Sequence, residues 1–158
     1  MELDRGKIVD LLNEKDPQVI SRLFDEAYCT KVENVGESVY LRGLIEISNI
    51  CRKNCLYCGI RSDNSTVVRY QLSNDDVIDA AKFALDAGYG SIVIQGGERQ
   101  DKAFVKNIKR LIKKIKRLSR ENPLGITLSL GEQPIEVYED WFDAGAHRYL
   151  LRIESSNE

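Results

Sequence analysis

The sequence predicts an α/β fold, the N-terminal half of a (β/α)8 TIM-type barrel preceded by N-terminal helices. Three observations predict it. From residue 41 onward, short apolar runs alternate with longer amphipathic stretches, and that alternation implies a parallel sheet with right-handed crossovers. The first and third runs break the solid apolar pattern of an open parallel sheet and suit barrel strands with one face toward a cavity. The chain has 158 residues, whereas a complete barrel needs about 250.

The elements follow in order. Residues 1–40 read as an N-terminal helical extension. Asp16-Pro17 is the pattern of an N-cap followed by a first-turn proline, and Val19, Ile20, Leu23, Phe24 and Ala27 then recur at helical spacing. Cys29 at the end of that stretch reads as a small buried hydrophobe. Residues 41–158 form the partial barrel. Its first run is Leu44-Ile45-Glu46-Ile47. Ser73 with Asp76 three residues later is a capping box. It opens a helix with Val77, Ala80, Ala81, Ala84 and Leu85 inward and Gly88 as its stop. Ser91 to Gln95 is the second run. The next helix puts Phe104, Ile108, Leu111, Ile112, Ile115 and Leu118 on one face. Ile126 to Leu130 is the third run, with Thr127 and Ser129 alternating toward a cavity. Pro134 opens a helix with Val137, Tyr138, Trp141 and Phe142 inward, and Gly145 ends it. Arg148 to Leu151 is the fourth run.

Composition narrows the function classes. Net charge is −2, so neither nucleic acid nor an anionic membrane is an expected partner. The N-terminus lacks a basic segment followed by an apolar run, and no apolar stretch approaches the ~20 residues that span a bilayer. A cytoplasmic location is the expectation. Three of the four cysteines lie within eight residues, a clustering that suggests metal ligation rather than a disulfide framework.

The clustered segment is Cys51-Arg52-Lys53-Asn54-Cys55-Leu56-Tyr57-Cys58-Gly59. Three thiolates at this spacing can hold three irons of a cubane and leave the fourth iron open for a ligand, whereas an electron-transfer cluster usually has four cysteines. Zinc is the competing reading, but a structural zinc site takes four ligands; His147 is far along the chain and Cys29 lies in a helix. Other polar groups fall at strand ends: Ser48-Asn49, Gln95-Gly96-Gly97-Glu98, Gly131-Glu132 and Arg152-Ile153-Glu154-Ser155. All are C-terminal ends of parallel strands, so all share the rim where barrel enzymes place their active sites. Gly96-Gly97 also reads as a tight turn, and Arg152 and Glu154 as partners for neighbouring helices. His147 reads as structural. Nine Lys or Arg and no acid lie between Lys102 and Arg120. They read as a solvated helix face, or as a docking face for an acidic electron donor.

These motifs resemble the radical S-adenosylmethionine (SAM) superfamily: CX3CX2C with an aromatic before the last cysteine, then a GGE motif after the next strand. Glu46-Ile47-Ser48-Asn49, Ser129-Leu130-Gly131-Glu132 and Tyr149-Leu150-Leu151-Arg152 resemble more narrowly the HydE type of [FeFe]-hydrogenase maturase, within the group that holds biotin synthase and methylornithine synthase. The resemblance spans about residues 40–156. It implies an enzyme whose cofactors are a [4Fe-4S] cluster held by Cys51, Cys55 and Cys58, and SAM, cleaved to a 5′-deoxyadenosyl radical. It implies cofactor contacts at Tyr57, Gln95, Gly96, Gly97, Glu98 and Glu154, with the Tyr57 main chain at the adenine and Glu154 at the ribose. It implies a substrate pocket of Thr127, Ser129 and Arg152. No side chain is singled out as catalytic, because the cofactor carries the chemistry. The implied partners are a small-molecule or iron-complex substrate, a low-potential donor of the flavodoxin or ferredoxin type and other hydrogenase maturation proteins. The alternatives are a methylornithine synthase-like or other radical SAM reaction of the biotin synthase group, and an inactive cluster-binding fragment. A chain ending after strand four is expected to leave that strand's edge bare.

Overall fold

The structure is a computed structural model and describes residues 4–121 and 123–152. Two compact units divide the chain at Val39/Tyr40. The first holds α1 (Arg5–Asn13) and α2 (Pro17–Val35), and Asp16 caps α2 by accepting from the Gln18 amide at 2.8 Å. No residue of either helix is buried, Phe24 is 68% exposed, and Cys29 is exposed rather than the buried hydrophobe its helical spacing suggested.

The second unit is a four-stranded parallel sheet in the order β1 (Arg42–Ser48), β2 (Ser91–Gly96), β3 (Gly125–Ser129), β4 (Arg148–Tyr149). Its crossovers are α3 (Asn74–Asp86), α4 (Lys102–Leu118) and α5 (Ile135–Asp143). Strands in sequence order with a helix between each pair are the arrangement of a barrel's first half. Alternation decides the two faces. Ile45, Ile47, Ile92, Ile94, Ile126 and Leu128 are buried against α3, α4 and α5, together with Val77, Phe104, Ile108, Leu111, Ile112, Ile115 and Trp141. Burying each such side chain contributes about 1.5–3 kcal/mol. Strand residues between them turn to the opposite face. The register aligns Glu46 with Gln95 and Gln95 with Ser129, so one polar row crosses three strands near their C-terminal ends.

Capping follows the sequence closely. Ser73 and Asp76 make both halves of the capping box, and Gly88 follows α3 at φ +73°. Asp101 caps α4 by accepting from the Phe104 amide at 3.0 Å. Two inward expectations fail. Leu118 and Phe142 are 47% and 68% exposed, since the buried position at each helix end is taken by the adjacent residue, Ser119 and Trp141. The fourth strand is only Arg148–Tyr149, although the Leu150 amide still donates to Leu128 O at 2.8 Å. His147 is structural: its Nδ1 lies 3.1 Å from the Ile126 amide, at the foot of β3.

The basic face of α4 is largely solvated. Lys109 pairs with Asp140 at 2.8 Å and Lys116 donates to Leu124 O at 3.2 Å, while Lys102, Lys106, Arg110, Lys113, Lys114, Arg117 and Arg120 are exposed.

The Asp101 cap separates charge from geometry. Its amide partner, with smaller help from Arg99, holds the carboxyl below its ordinary range. A depressed folded-state value stabilises the fold above the unfolded carboxylate range and is lost as pH falls through the folded value. Asp101→Ala should cost about 1 kcal/mol at neutral pH. Asp101→Asn should keep the cap and flatten that acid-side dependence, both read by urea unfolding.

Candidate active site at the strand ends

The three clustered cysteines sit in the connection that leaves β1. From Asn49 to Tyr70 the chain has turns but no helix or strand. Within it the Cys58 amide donates to Cys55 O at 2.9 Å, the Ser62 amide to Lys53 O at 2.9 Å, and Asn64 Nδ2 to Gly59 O at 2.8 Å. The segment then returns antiparallel beside β1. Asn49, 9% exposed, donates from Nδ2 to Val68 O at 2.8 Å and accepts at Oδ1 from the Tyr70 amide at 2.7 Å; the Leu72 amide donates to Ile47 O at 2.8 Å.

Cys51, Cys55 and Cys58 are free thiols, all half-buried, and all three line one cavity of about 530 Å3. Tyr57, Gln95, Gly96, Gly97, Glu98, Ser129 and Arg152 line the same cavity. Thr127 does not: its hydroxyl is buried with no hydrogen-bond partner, one row below Ser129. Glu154 lies outside the described residues. Glu46, Asn49, Lys53, Glu132, Leu150 and Leu151 join the lining without having been singled out as ligand-facing. Gln95 Nε2 donates to Glu46 Oε1 at 3.2 Å, and the Arg152 guanidinium donates to Gln95 Oε1 at 3.4 Å.

Gly97 brings two strand ends together. A methyl at this position would lie 2.3 Å from Ile50 O and 2.7 Å from Cys51 Cβ, so only glycine lets the backbone leaving β2 pass beneath the first cysteine. Its amide donates to Ser48 O at 3.0 Å, and the next amide, of Glu98, donates to Cys51 Sγ at 3.3 Å.

Glu98 behaves differently from a side chain that simply faces a ligand. It is 6% exposed, Oε2 accepts from the Glu132 amide at 2.8 Å, and Oε1 lies 3.0 Å from Arg52 Nε. That ion pair is not aligned as a hydrogen bond, so Oε1 accepts none and is compensated by charge alone. Lys53 Nζ stands 3.1 Å from Glu132 and 3.9 Å from Glu98. The hydrogen bond to Glu132, reinforced by the Glu98 charge, holds the Lys53 ammonium above its ordinary value. Arg52 and Lys53, inside the cysteine motif, thereby tie the loop after β1 to the loops after β2 and β3.

The sequence profile of the Radical SAM superfamily matches residues 45–158, and the chain belongs to that superfamily. A "[FeFe] hydrogenase maturase subunit HydE" of Thermotoga maritima is 40% identical over 157 residues, covering 99% of this chain and 43% of the relative. Biotin synthase of Staphylococcus aureus is 34% identical over 138 residues, 85% of this chain and 40% of the relative. The crystal structure of methylornithine synthase (PylB) superposes with a TM-score of 0.77 at 22% identity, covering 96% of this chain and 44% of that one, a likeness of fold. The chain spans about two fifths of the length of the curated relatives it matches.

The cofactors of this family are a [4Fe-4S] cluster and SAM, and the donor set fits them. Among the described residues no three His, Cys, Asp or Glu side chains converge on a single-ion site. The three thiols instead stand around a shared cavity, as a multi-iron group requires.

Gly97→Ala should displace the Cys51 backbone, because the colliding atoms are main chain and a buried Cβ. Overpacking of this kind costs about 1–3 kcal/mol. The expected outcome is a folded apo-protein by circular dichroism with reduced iron uptake on anaerobic reconstitution.

Proposed function

We propose that this chain is the cluster-bearing half of a radical SAM enzyme in which Cys51, Cys55 and Cys58 ligate three irons of the [4Fe-4S] cluster. The observation that carries the reading is the common cavity: three free thiols, the Gly96-Gly97-Glu98 turn and the polar row Glu46, Gln95 and Ser129 all open onto it. When bound, the cluster would supply the one-electron chemistry by which enzymes of this family cleave SAM.

The chain's own residues bind, orient and exclude. A Cβ at Gly97 would collide with Ile50 O and Cys51 Cβ, and one at Gly96 would crowd Ile47 and Ser48, so the two glycines let the ends of β1 and β2 close together beside the cavity. On the family resemblance, the Tyr57 main chain, Gln95 and Glu98 are assigned to SAM and Ser129 and Arg152 to the substrate; all five residues line the one cavity. Glu98 acts through Arg52 and Glu132 as much as through any ligand. Glu154 is assigned to the SAM ribose on family resemblance. Thr127, buried below Ser129, supports the pocket wall.

Within the superfamily, the 40% identity over nearly the whole chain favours a maturase of the HydE type. That assignment carries a role in [FeFe]-hydrogenase maturation, a small-molecule or iron-complex substrate and a low-potential donor of the flavodoxin or ferredoxin type. Among the described residues no helix is long and apolar enough to cross a membrane.

Anaerobic reconstitution should give about four irons per chain. Replacing Cys51, Cys55 or Cys58 by Ala should abolish that loading and Cys29→Ala should leave it intact; stoichiometric zinc without iron would overturn the reading. Dithionite should then drive SAM to 5′-deoxyadenosine in the complete polypeptide. There, Glu154→Ala should weaken SAM binding by about 1–3 kcal/mol, the cost of losing one polar contact. Unchanged affinity by calorimetry would remove Glu154 from the ribose.

A further inference from the structure

Arg69 is the only charged residue between Asp63 and Asp75, and it is half-buried behind the cysteine loop. Its guanidinium makes four hydrogen bonds, all to main-chain carbonyls. Nη1 donates to Asn49 O at 2.7 Å and Ile60 O at 2.8 Å; Nη2 donates to Arg61 O at 2.6 Å and Asn64 O at 3.2 Å. No carboxylate pairs with it among the described residues, so the fork is spent on backbone.

The position of those carbonyls in the chain gives the contact its meaning. Asn49 lies two residues before Cys51, and Ile60 lies two residues after Cys58. One planar group therefore holds both flanks of the thiol segment. That segment has no helix or strand of its own to hold it. Asn49 interlocks with the same clamp, because its side-chain amide is bonded to the main chain at Val68 and Tyr70, on either side of Arg69. Arginine suits the task because its donors are arranged in a rigid fork, whereas a lysine ammonium is a single point on a flexible stem.

We propose that Arg69 is a positioning residue for the cluster loop: by bonding Asn49 on one flank and Ile60, Arg61 and Asn64 on the other, it fixes the spacing at which Cys51, Cys55 and Cys58 present their thiols. This rests on reading those cysteines as the ligands. The positively charged group touches no thiol and works only through the backbone that carries them. Outer-shell groups that orient metal ligands typically matter about 10–100-fold in metal affinity.

The test compares wild type, Arg69→Gln, Arg69→Lys and Cys55→Ala in the full chain after anaerobic reconstitution. Three quantities are read: release of iron to an excess chelator, the EPR signal of the reduced cluster, and urea unfolding of the apo-protein. Arg69→Gln should release iron about tenfold faster or more, at the low end of that outer-shell range, with an altered EPR signal. Its apo unfolding should stay near wild type, since Arg69 lies outside the sheet core. Arg69→Lys should fall between the two. Wild-type iron retention and EPR signal in Arg69→Gln would overturn the proposal. If Arg69→Gln unfolds the apo-protein, Arg69→Lys decides: a restored fold with fast iron release supports it, and a restored fold with wild-type retention overturns it. Cys55→Ala keeps the two readings apart. Iron bound normally in that variant condemns the ligand assignment itself, whereas iron lost there but kept in Arg69→Gln condemns only the clamp.

Discussion

The rim of this sheet depends on one close approach. At Gly97 the main chain leaving β2 passes under the main chain leaving β1, and a single added carbon would meet Ile50 O at 2.3 Å. The approach lets the Gly97 amide reach Ser48 O and the Glu98 amide reach Cys51 Sγ, which lengthens the parallel pairing of β1 and β2 past the last residue of either strand. A bulge at the end of β1, between Glu46 and Ser48, shifts the register so that Ser48 lies beside Gly96. Without that shift the cysteine loop would leave the sheet with a different aim, since a one-residue change of register turns each side chain to the other face.

A second constraint is electrostatic. Glu98 is almost fully enclosed, and an enclosed carboxylate without compensation would be costly. Compensation comes from Arg52 and Lys53, two consecutive cations between the first and second cysteines, and from the Glu132 amide. Gly131 belongs to the same arrangement: its φ is +78°, and a methyl there would lie 2.4 Å from the Glu98 side chain. A positive φ and a collision with a buried charge both demand glycine at that position. Arg52 and Lys53 are themselves more than one-third exposed, so solvent screens their attraction and the pairs contribute orientation more than stability.

Much of this was legible in the sequence, because the signals were local. Alternation located the strands, periodicity the helices, and Ser73 with Asp76 announced a cap that both side chains make. The cysteine spacing and the glycine pair marked the rim. Less was legible where the partner is distant. Nothing near Glu98 says that its carboxylate will accept from an amide 34 residues later, nor does Arg69 carry any local sign of its four carbonyls beyond being a lone charge in a polar stretch. Phe142 and Leu118 fit their helical stripes yet are largely exposed, since a stripe says which side of a helix is apolar but not which of two adjacent residues at its margin is covered.

Charge on the helices completes the physical account of how the sheet keeps its covering layer. The described part of α3 carries Asp75, Asp76, Asp79 and Asp86 at its surface, and α5 carries Glu136, Glu139, Asp140 and Asp143; α4 between them carries cations alone. Only Lys109 with Asp140 closes to a direct pair between these helices, at 2.8 Å. The remaining cations are held off at the surface, where screened attraction to both neighbours is weak for each charge but of one sign for all. The acids of α3 and α5 offset the eight Lys or Arg of α4, which would otherwise repel one another along the helix. This arrangement explains how so basic a helix occurs in a chain of net charge −2.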